Sequence, residues 1–203
     1  MERIATIIDN VNLHRLAKIN SFAKKMYEAN ISNERKIFMD ISNSEVQRFL
    51  QSLYDNKVEY MLVGGVATVF HGHVRTTQDL DLWVKESPEN KKRLVRALKQ
   101  VSVIGAENYE KVEMVPDWSS VTIGDHGFVA DLMGYLKSFK KEDFDACYKR
   151  AVKAKFDSIP ITVIQLKDLI AEKKATGRAK DIDDVLNLEK VQKAKGKNKG
   201  MTM

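Results

Sequence analysis

The run Tyr60-Met61-Leu62-Val63-Gly64-Gly65, followed after residues 66–78 by Asp79-Leu80-Asp81-Leu82, constrains this chain more than any other stretch. An apolar run ending in a glycine pair reads as a buried strand that breaks into a tight turn. Val66 to His71 then reads as a short helix, with Gly72 as its C-terminal stop. In the strand that follows, aspartates at i and i+2 share one face, while Leu80 and Leu82 point into the core. Two adjacent carboxylates repel each other. A fold tolerates them mostly when a cation lies between them, and hard oxygen donors suit Mg²⁺. A glycine turn that opens a helix offers backbone N–H groups to phosphate. Together the pieces suggest a site for a metal-bound nucleoside triphosphate.

The same pattern resembles the signature of the nucleotidyltransferase superfamily, the one that includes DNA polymerase beta. The closer resemblance is to its small bacterial AbiEii-like and related uncharacterised members. It runs from about Met39 to Leu188 and takes in Arg75-Thr76-Thr77 before the aspartates and Trp83-Val84 after them. The resemblance implies an α/β (α+β) nucleotidyltransferase fold: a small, mixed, twisted sheet flanked by helices, with a helical C-terminal part. It also implies a third carboxylate on a neighbouring strand. Asp131 is the candidate, a lone acid in Phe128-Val129-Ala130-Asp131-Leu132-Met133, because an unpaired buried charge there needs compensation. The alternative is a solvent-facing strand residue. Asp125, in the turn that precedes that strand, is the rival, although turns favour aspartate for structural reasons.

The AbiEii-like motif of a Lys, an Arg and two Asp falls on Lys173, Arg178, Asp181 and Asp184. The resemblance implies that Lys173 reaches the triphosphate. Arg178 either binds phosphate or pairs with Asp181. Without the family, the same stretch reads as a solvated helix laced with ion pairs. Arg75 stands equally well as a phosphate ligand or as a partner of Asp79.

The implied reaction moves a nucleoside monophosphate from an NTP such as ATP to an acceptor hydroxyl, on two Mg²⁺ ions. Asp79, Asp81 and Asp131 are its metal ligands and catalytic acids. Gly64, Gly65, Arg75, Lys173 and Arg178 bind the nucleotide. The acceptor is RNA (tRNA 3′ ends included), a protein side chain or a small molecule, and a toxin–antitoxin setting with an antitoxin partner is implied. The alternative from another class is a catalytically silent nucleotide- or protein-binding module on the same fold.

With 43% hydrophobic and 31% charged residues, the chain can bury a core and remain soluble. It has no apolar run long enough to span a membrane and no signal-peptide pattern. Its only cysteine is Cys147, which allows no internal disulfide and fits a cytoplasmic protein. Five lysines from Lys190 to Lys199 supply most of the net charge of +6. That leaves a near-neutral body and weak grounds for a nucleic-acid face on it.

Three parts are expected. They are an N-terminal helical extension over 1–40, a nucleotidyltransferase domain over 41–190, and a basic disordered tail over 191–203. In the extension, Leu13, Leu16, Ile19 and Phe22 recur at helical spacing, and Ser32-Asn33-Glu34 breaks the pattern. In the domain, Ser44 is expected as an N-cap, Ser87-Pro88 as a helix start, and Val58–Val63, Leu80–Val84, Ser119–Ile123 and Phe128–Met133 as strands. Val152–Phe156 and Ile161–Val163 follow as strands, then helix from Gln165 to about Lys193 in two pieces meeting near Gly177. Trp83 and Trp118 read as core or edge packing. Cys147 reads as inert, and the histidines are too scattered for zinc.

Overall fold

The computed structural model describes residues 8–9, 11–28 and 38–199. The expected break at Ser32–Glu34 lies outside them. The secondary structure, in chain order, is β1 (Ile8–Asp9), α1 (Val11–Glu28), α2 (Ser44–Asp55), β2 (Tyr60–Leu62), α3 (Gly64–His71), β3 (Asp79–Val84) and α4 (Pro88–Gln100). It continues with β4 (Ser120–Ile123), β5 (Phe128–Met133), α5 (Phe144–Arg150), β6 (Val152–Phe156), β7 (Ile159–Val163), α6 (Leu166–Thr176) and α7 (Ala179–Lys199). Short 3₁₀ turns occupy Ala106–Glu110 and Lys141–Asp143.

The strands form one mixed sheet in the order β1-β6-β7-β2-β3-β5-β4. β3 lies antiparallel to β2 but parallel to β5. β5 and β4 form an antiparallel hairpin, and β4 is an edge. Alternation governs the central strand. Leu80 and Leu82 are wholly buried, while Asp79 and Asp81 remain partly open. Trp83 shares the aspartates' face but lies past them. It is fully buried against Phe139 and Phe144, and its indole N–H donates to the Gly134 carbonyl at 3.1 Å.

Helix ends follow local chemistry. Ser87 accepts from the Asn90 amide and caps α4, with Pro88 in the first turn. The cap of α2 is Asn43, not Ser44. Asn43 is extended and its side chain accepts from Glu45 N at 2.8 Å, which makes Ser44 the first helical residue. Gly177, in the left-handed region at φ +64°, ends α6 and separates it from α7. The basic stretch from Lys190 continues as α7 as far as Lys199.

Buried Asn90 clips β2 to the end of β3. Its side chain accepts from Glu59 N and donates to the carbonyls of Glu59 and Lys85. α1 packs on α3 through buried Leu13 and Leu16, whereas Ile19 and Phe22 are exposed. α3 also meets β3, α6 and α7, which brings the glycine turn, the aspartate strand and the C-terminal helices to one place. Among the described residues, no helix is long and apolar enough to cross a membrane.

Candidate active site

Sheet register brings the acids together. The parallel pairing of β3 with β5 sets Asp81 opposite Asp131, and the β4 hairpin sets Ser120 opposite Asp131 on the other side. Carboxylate oxygens of Asp79, Asp81 and Asp131 all lie within 4.8 Å of one another. Asp125 is elsewhere: its amide donates to Glu45 at 3.1 Å, pinning the β4–β5 turn to α2. Burial, then the neighbouring Asp79 charge, pushes Asp81 up to about 6, against the pull of the Gly65 amide. Burial also raises Asp131, with Asp79 adding to it and the Ser120 hydroxyl opposing it.

The glycine pair makes room for this crowding. Gly64 sits at φ +54°, and a Cβ there would lie 1.7 Å from Asp81 Oδ2. A Cβ on Gly65 would lie 2.2 Å from Thr77 Oγ1. With both side chains absent, the Gly65 amide donates to Asp81 Oδ2 at 3.1 Å. Thr77 Oγ1 donates to Asp79 Oδ1 at 3.1 Å. The glycine turn therefore grips the carboxylate it faces, a role the sequence does not announce. Thr77, which the sequence offered only as part of the Arg75-Thr76-Thr77 stretch before the aspartates, is a direct partner of Asp79. The signal available was its position two residues before the first aspartate.

The C-terminal helices supply the cations. Lys173 is 4% exposed, and its ammonium lies 3.1 Å from Asp181 Oδ1 and 2.6 Å from Asp184 Oδ2. Arg178 Nε donates to Asp181 Oδ2 at 2.7 Å, and Thr176 Oγ1 donates to the same oxygen at 2.9 Å. Arg75 pairs with Asp184, not with Asp79. Its Nε and Nη2 form a two-point contact at 2.7 and 2.8 Å. Burial would raise Asp181, but bonds from Arg178 and Lys173 outweigh it and hold this acid down at about 2. Burial acts the same way on Asp184 and is outweighed by Arg75 and Lys173.

His73 Nε2 comes within 3.5 Å of both Asp183 and Asp184, a grouping the sequence reading did not foresee. Asp184 is already held by two cations there, which disfavours a metal.

A cavity of about 450 Å³ joins the two halves of the site. Gly64 and Asp81 line one side and Lys173, Arg178 and Asp181 the other, with Tyr135 among the rest. A larger cavity, about 660 Å³, runs along the outer edge of β4 past Ser120 and Tyr109.

Of the remaining residues singled out by sequence, His71 is buried and contacts the Ile164 carbonyl at 2.7 Å. Cys147 is buried, and burial pushes its thiol up to about 11. Trp118 is not packed: it is 86% exposed.

An acid triad beside a glycine turn, faced by buried Lys173 and exposed Arg178, is an arrangement that suits a nucleoside triphosphate. A family model described as a nucleotidyltransferase of unknown function (DUF6036) matches residues 38–194, and the chain belongs to that family. It is a nucleotidyltransferase, and the chemistry of its class is nucleoside monophosphate transfer. Among solved structures, the crystal structure of the lincosamide antibiotic adenylyltransferase LnuA, lincomycin-bound, is similar at 15% identity and a TM-score of 0.48. The similarity covers 77% of this chain and 99% of that one. No curated protein matches the chain.

Proposed function

We propose that the acid cluster is the catalytic centre of a Mg²⁺-dependent transfer of a nucleoside monophosphate from an NTP, ATP among them, to an acceptor hydroxyl. The convergence of Asp79, Asp81 and Asp131 within 4.8 Å carries this reading. Three hard oxygen donors, two of them with acidity suppressed by crowding and burial, suit a small divalent cation. Asp79 and Asp81 would hold one ion and all three acids a pair. Bound there, the ions supply charge neutralisation on the phosphates.

The chain's own residues do the rest. Asp131 accepts the proton of the attacking hydroxyl. The hydroxyl oxygen bonds to the α-phosphorus as the bond to the β-phosphate oxygen breaks, and pyrophosphate leaves. Lys173 and Arg178, across the cavity, draw the charge of the β- and γ-phosphates. Gly64 keeps the turn free of a side chain where the nucleotide approaches. Arg75 acts at one remove: its grip on Asp184 holds one of the two carboxylates that aim Lys173.

The acceptor hydroxyl belongs to RNA (tRNA 3′ ends among them), a protein side chain or a small molecule. The AbiEii-like resemblance favours RNA and a companion antitoxin. Triphosphate supply places the reaction in the cytoplasm.

The test is label transfer. Protein, Mg²⁺ and each α-labelled NTP are mixed with a bacterial lysate, and RNA, protein and small molecules are separated. Asp79→Ala/Asp81→Ala and Asp131→Asn variants run alongside. Label entering one fraction with wild type only is the expected result. Label in none, with Mg–NTP binding also absent, would leave the acid cluster without this role.

A further inference from the structure

Trp118 lies between Asp117, on the rim of the nucleotide cavity, and Ser120, the register partner of Asp131, and neither that cavity nor the core uses it. An indole left 86% exposed forgoes a large gain from burial. Its backbone, by contrast, is firmly tied. The amides of Trp118 and Ser119 both donate to the Val115 carbonyl at 3.1 Å, and Val115 N donates to Ser119 Oγ at 2.9 Å. On one side Met114 N is held by Glu86 at 2.7 Å and the Met114 carbonyl by Gly134 N at 2.7 Å. On the other, the Ser119 carbonyl accepts from Leu132 N at 2.7 Å. Asp117, just before the indole, adopts φ +64°, a left-handed turn conformation that aspartate tolerates better than most residues. The turn is a rigid mount, and what it presents is an aromatic face.

Its position says what the face is for. Pro116 and Asp117 form part of the rim of the cavity that holds Lys173 and Arg178. Trp118 itself does not line that cavity. The chain passes from Trp118 to Ser120, the register partner of Asp131. Beyond Ser120 and Tyr109 the larger cavity opens. Across the sheet the order is therefore glycine turn, Asp81, Asp131, Ser120, then open space. Triphosphate charge belongs on the cation side. The attacking hydroxyl must arrive from the other, beside Asp131.

We propose that Trp118 is the platform on which the acceptor seats a ring, setting a hydroxyl beside Asp131. The recognised chemistry is a flat or CH-rich ring carrying that hydroxyl, whether from the terminal nucleoside of an RNA or from a small glycoside or aromatic molecule. This rests on the transferase reading of the acid cluster.

Trp118→Ala and Trp118→Phe are compared with wild type in the label-transfer reaction, at rising amounts of whichever lysate fraction takes label. The expected result is an acceptor KM raised roughly tenfold or more by Ala and largely restored by Phe, as for other stacked rings, with Mg–NTP affinity unchanged. The size of the labelled product separates the RNA source from the small-molecule source. Emission of Trp118 is read independently of turnover as the difference between wild type and Trp118→Phe, which keeps only the buried Trp83. Adding the acceptor fraction is expected to quench the exposed indole.

Ala with a wild-type acceptor KM, Phe as impaired as Ala while both remain folded, or unchanged emission would each overturn the platform. Failure of wild type itself to label anything, with Mg–NTP binding also absent, would instead sink the transferase reading, and this inference with it.

Discussion

Replacing Gly64 with alanine separates the two tasks of the glycine turn, space and backbone conformation. The new Cβ would fall 1.7 Å from Asp81 Oδ2, 2.3 Å from its Cγ and 2.8 Å from its Cβ. No side-chain adjustment of a few tenths of an ångström relieves that, so the carboxylate must swing out of the turn. Alanine at a positive φ costs about 1–2 kcal/mol. Losing the Gly65 amide bond to the carboxylate costs about 1–2 kcal/mol more. Moving Asp81 away from Asp79 returns part of this, because the pair repels. The expected net loss is about 2 kcal/mol, or roughly 4–8 °C in Tm for a chain of this size. The larger effect is on metal binding, since the displaced carboxylate leaves the cluster. Mn²⁺ titration followed by electron paramagnetic resonance, beside thermal melts of the metal-free protein, measures both. A Gly64→Ala protein that keeps the wild-type Mn²⁺ affinity would refute the claim that this glycine exists to admit Asp81.

Asp81→Asn tests the crowding directly. The folded carboxyl titrates near 6, above its ordinary 3.8, so the folded state holds that proton more tightly than the unfolded chain. The group thus destabilises the metal-free protein fully above about pH 6, and the penalty fades as pH falls toward 4. The variant should melt higher than wild type at pH 7.5 and converge with it near pH 4; a constant Tm difference across that range would count against the assignment. Asp184→Asn strips buried Lys173 and half-buried Arg75 of the anion they share. A loss of roughly 3–5 kcal/mol in urea unfolding is expected, and a loss below 1 kcal/mol would show the pair to be replaceable. Cys147 should resist a disulfide-exchange reagent at pH 8 until the protein unfolds, since the thiol is buried and titrates near 11; rapid native-state labelling would contradict that.

The strands that carry chemistry were legible because alternation is a local signal. Asp79-Leu80-Asp81-Leu82 and the lone acid of Phe128–Met133 can satisfy their leucines only by turning the acids the other way. The glycine stop at Gly72 and the break at Gly177 were legible for a similar reason, as both need a backbone that most residues avoid. The α2 cap slipped by one residue because Asn43 and Ser44 are both good caps and only the backbone distinguishes them. What sequence could not supply was pairing at a distance. Arg75 and Asp184 are 109 positions apart, and nothing near Arg75 indicates that its partner lies in the last helix rather than at Asp79 in the strand that follows. Nor does any local pattern show that Trp83 is enclosed while Trp118 stands in water: both follow short polar or apolar runs, and only the turn at 115–119 decides the second.

Parallel pairing of β3 with β5 also gives the site a ruler. Neighbouring strands sit about 4.8 Å apart by the length of their backbone hydrogen bonds, so the gap between Asp81 and Asp131 is one strand spacing, set by the peptide ladder and not by any loop. The cations opposite lie outside that ladder: Lys173 is on α6, which follows β7 directly, and Arg178 stands just past Gly177 in the link between α6 and α7. Evolution can therefore retune the grip on the triphosphate by shifting helices, or the choice of acceptor by rebuilding the β4 edge. The distance between the acids stays constant throughout, because changing it would mean unzipping the sheet.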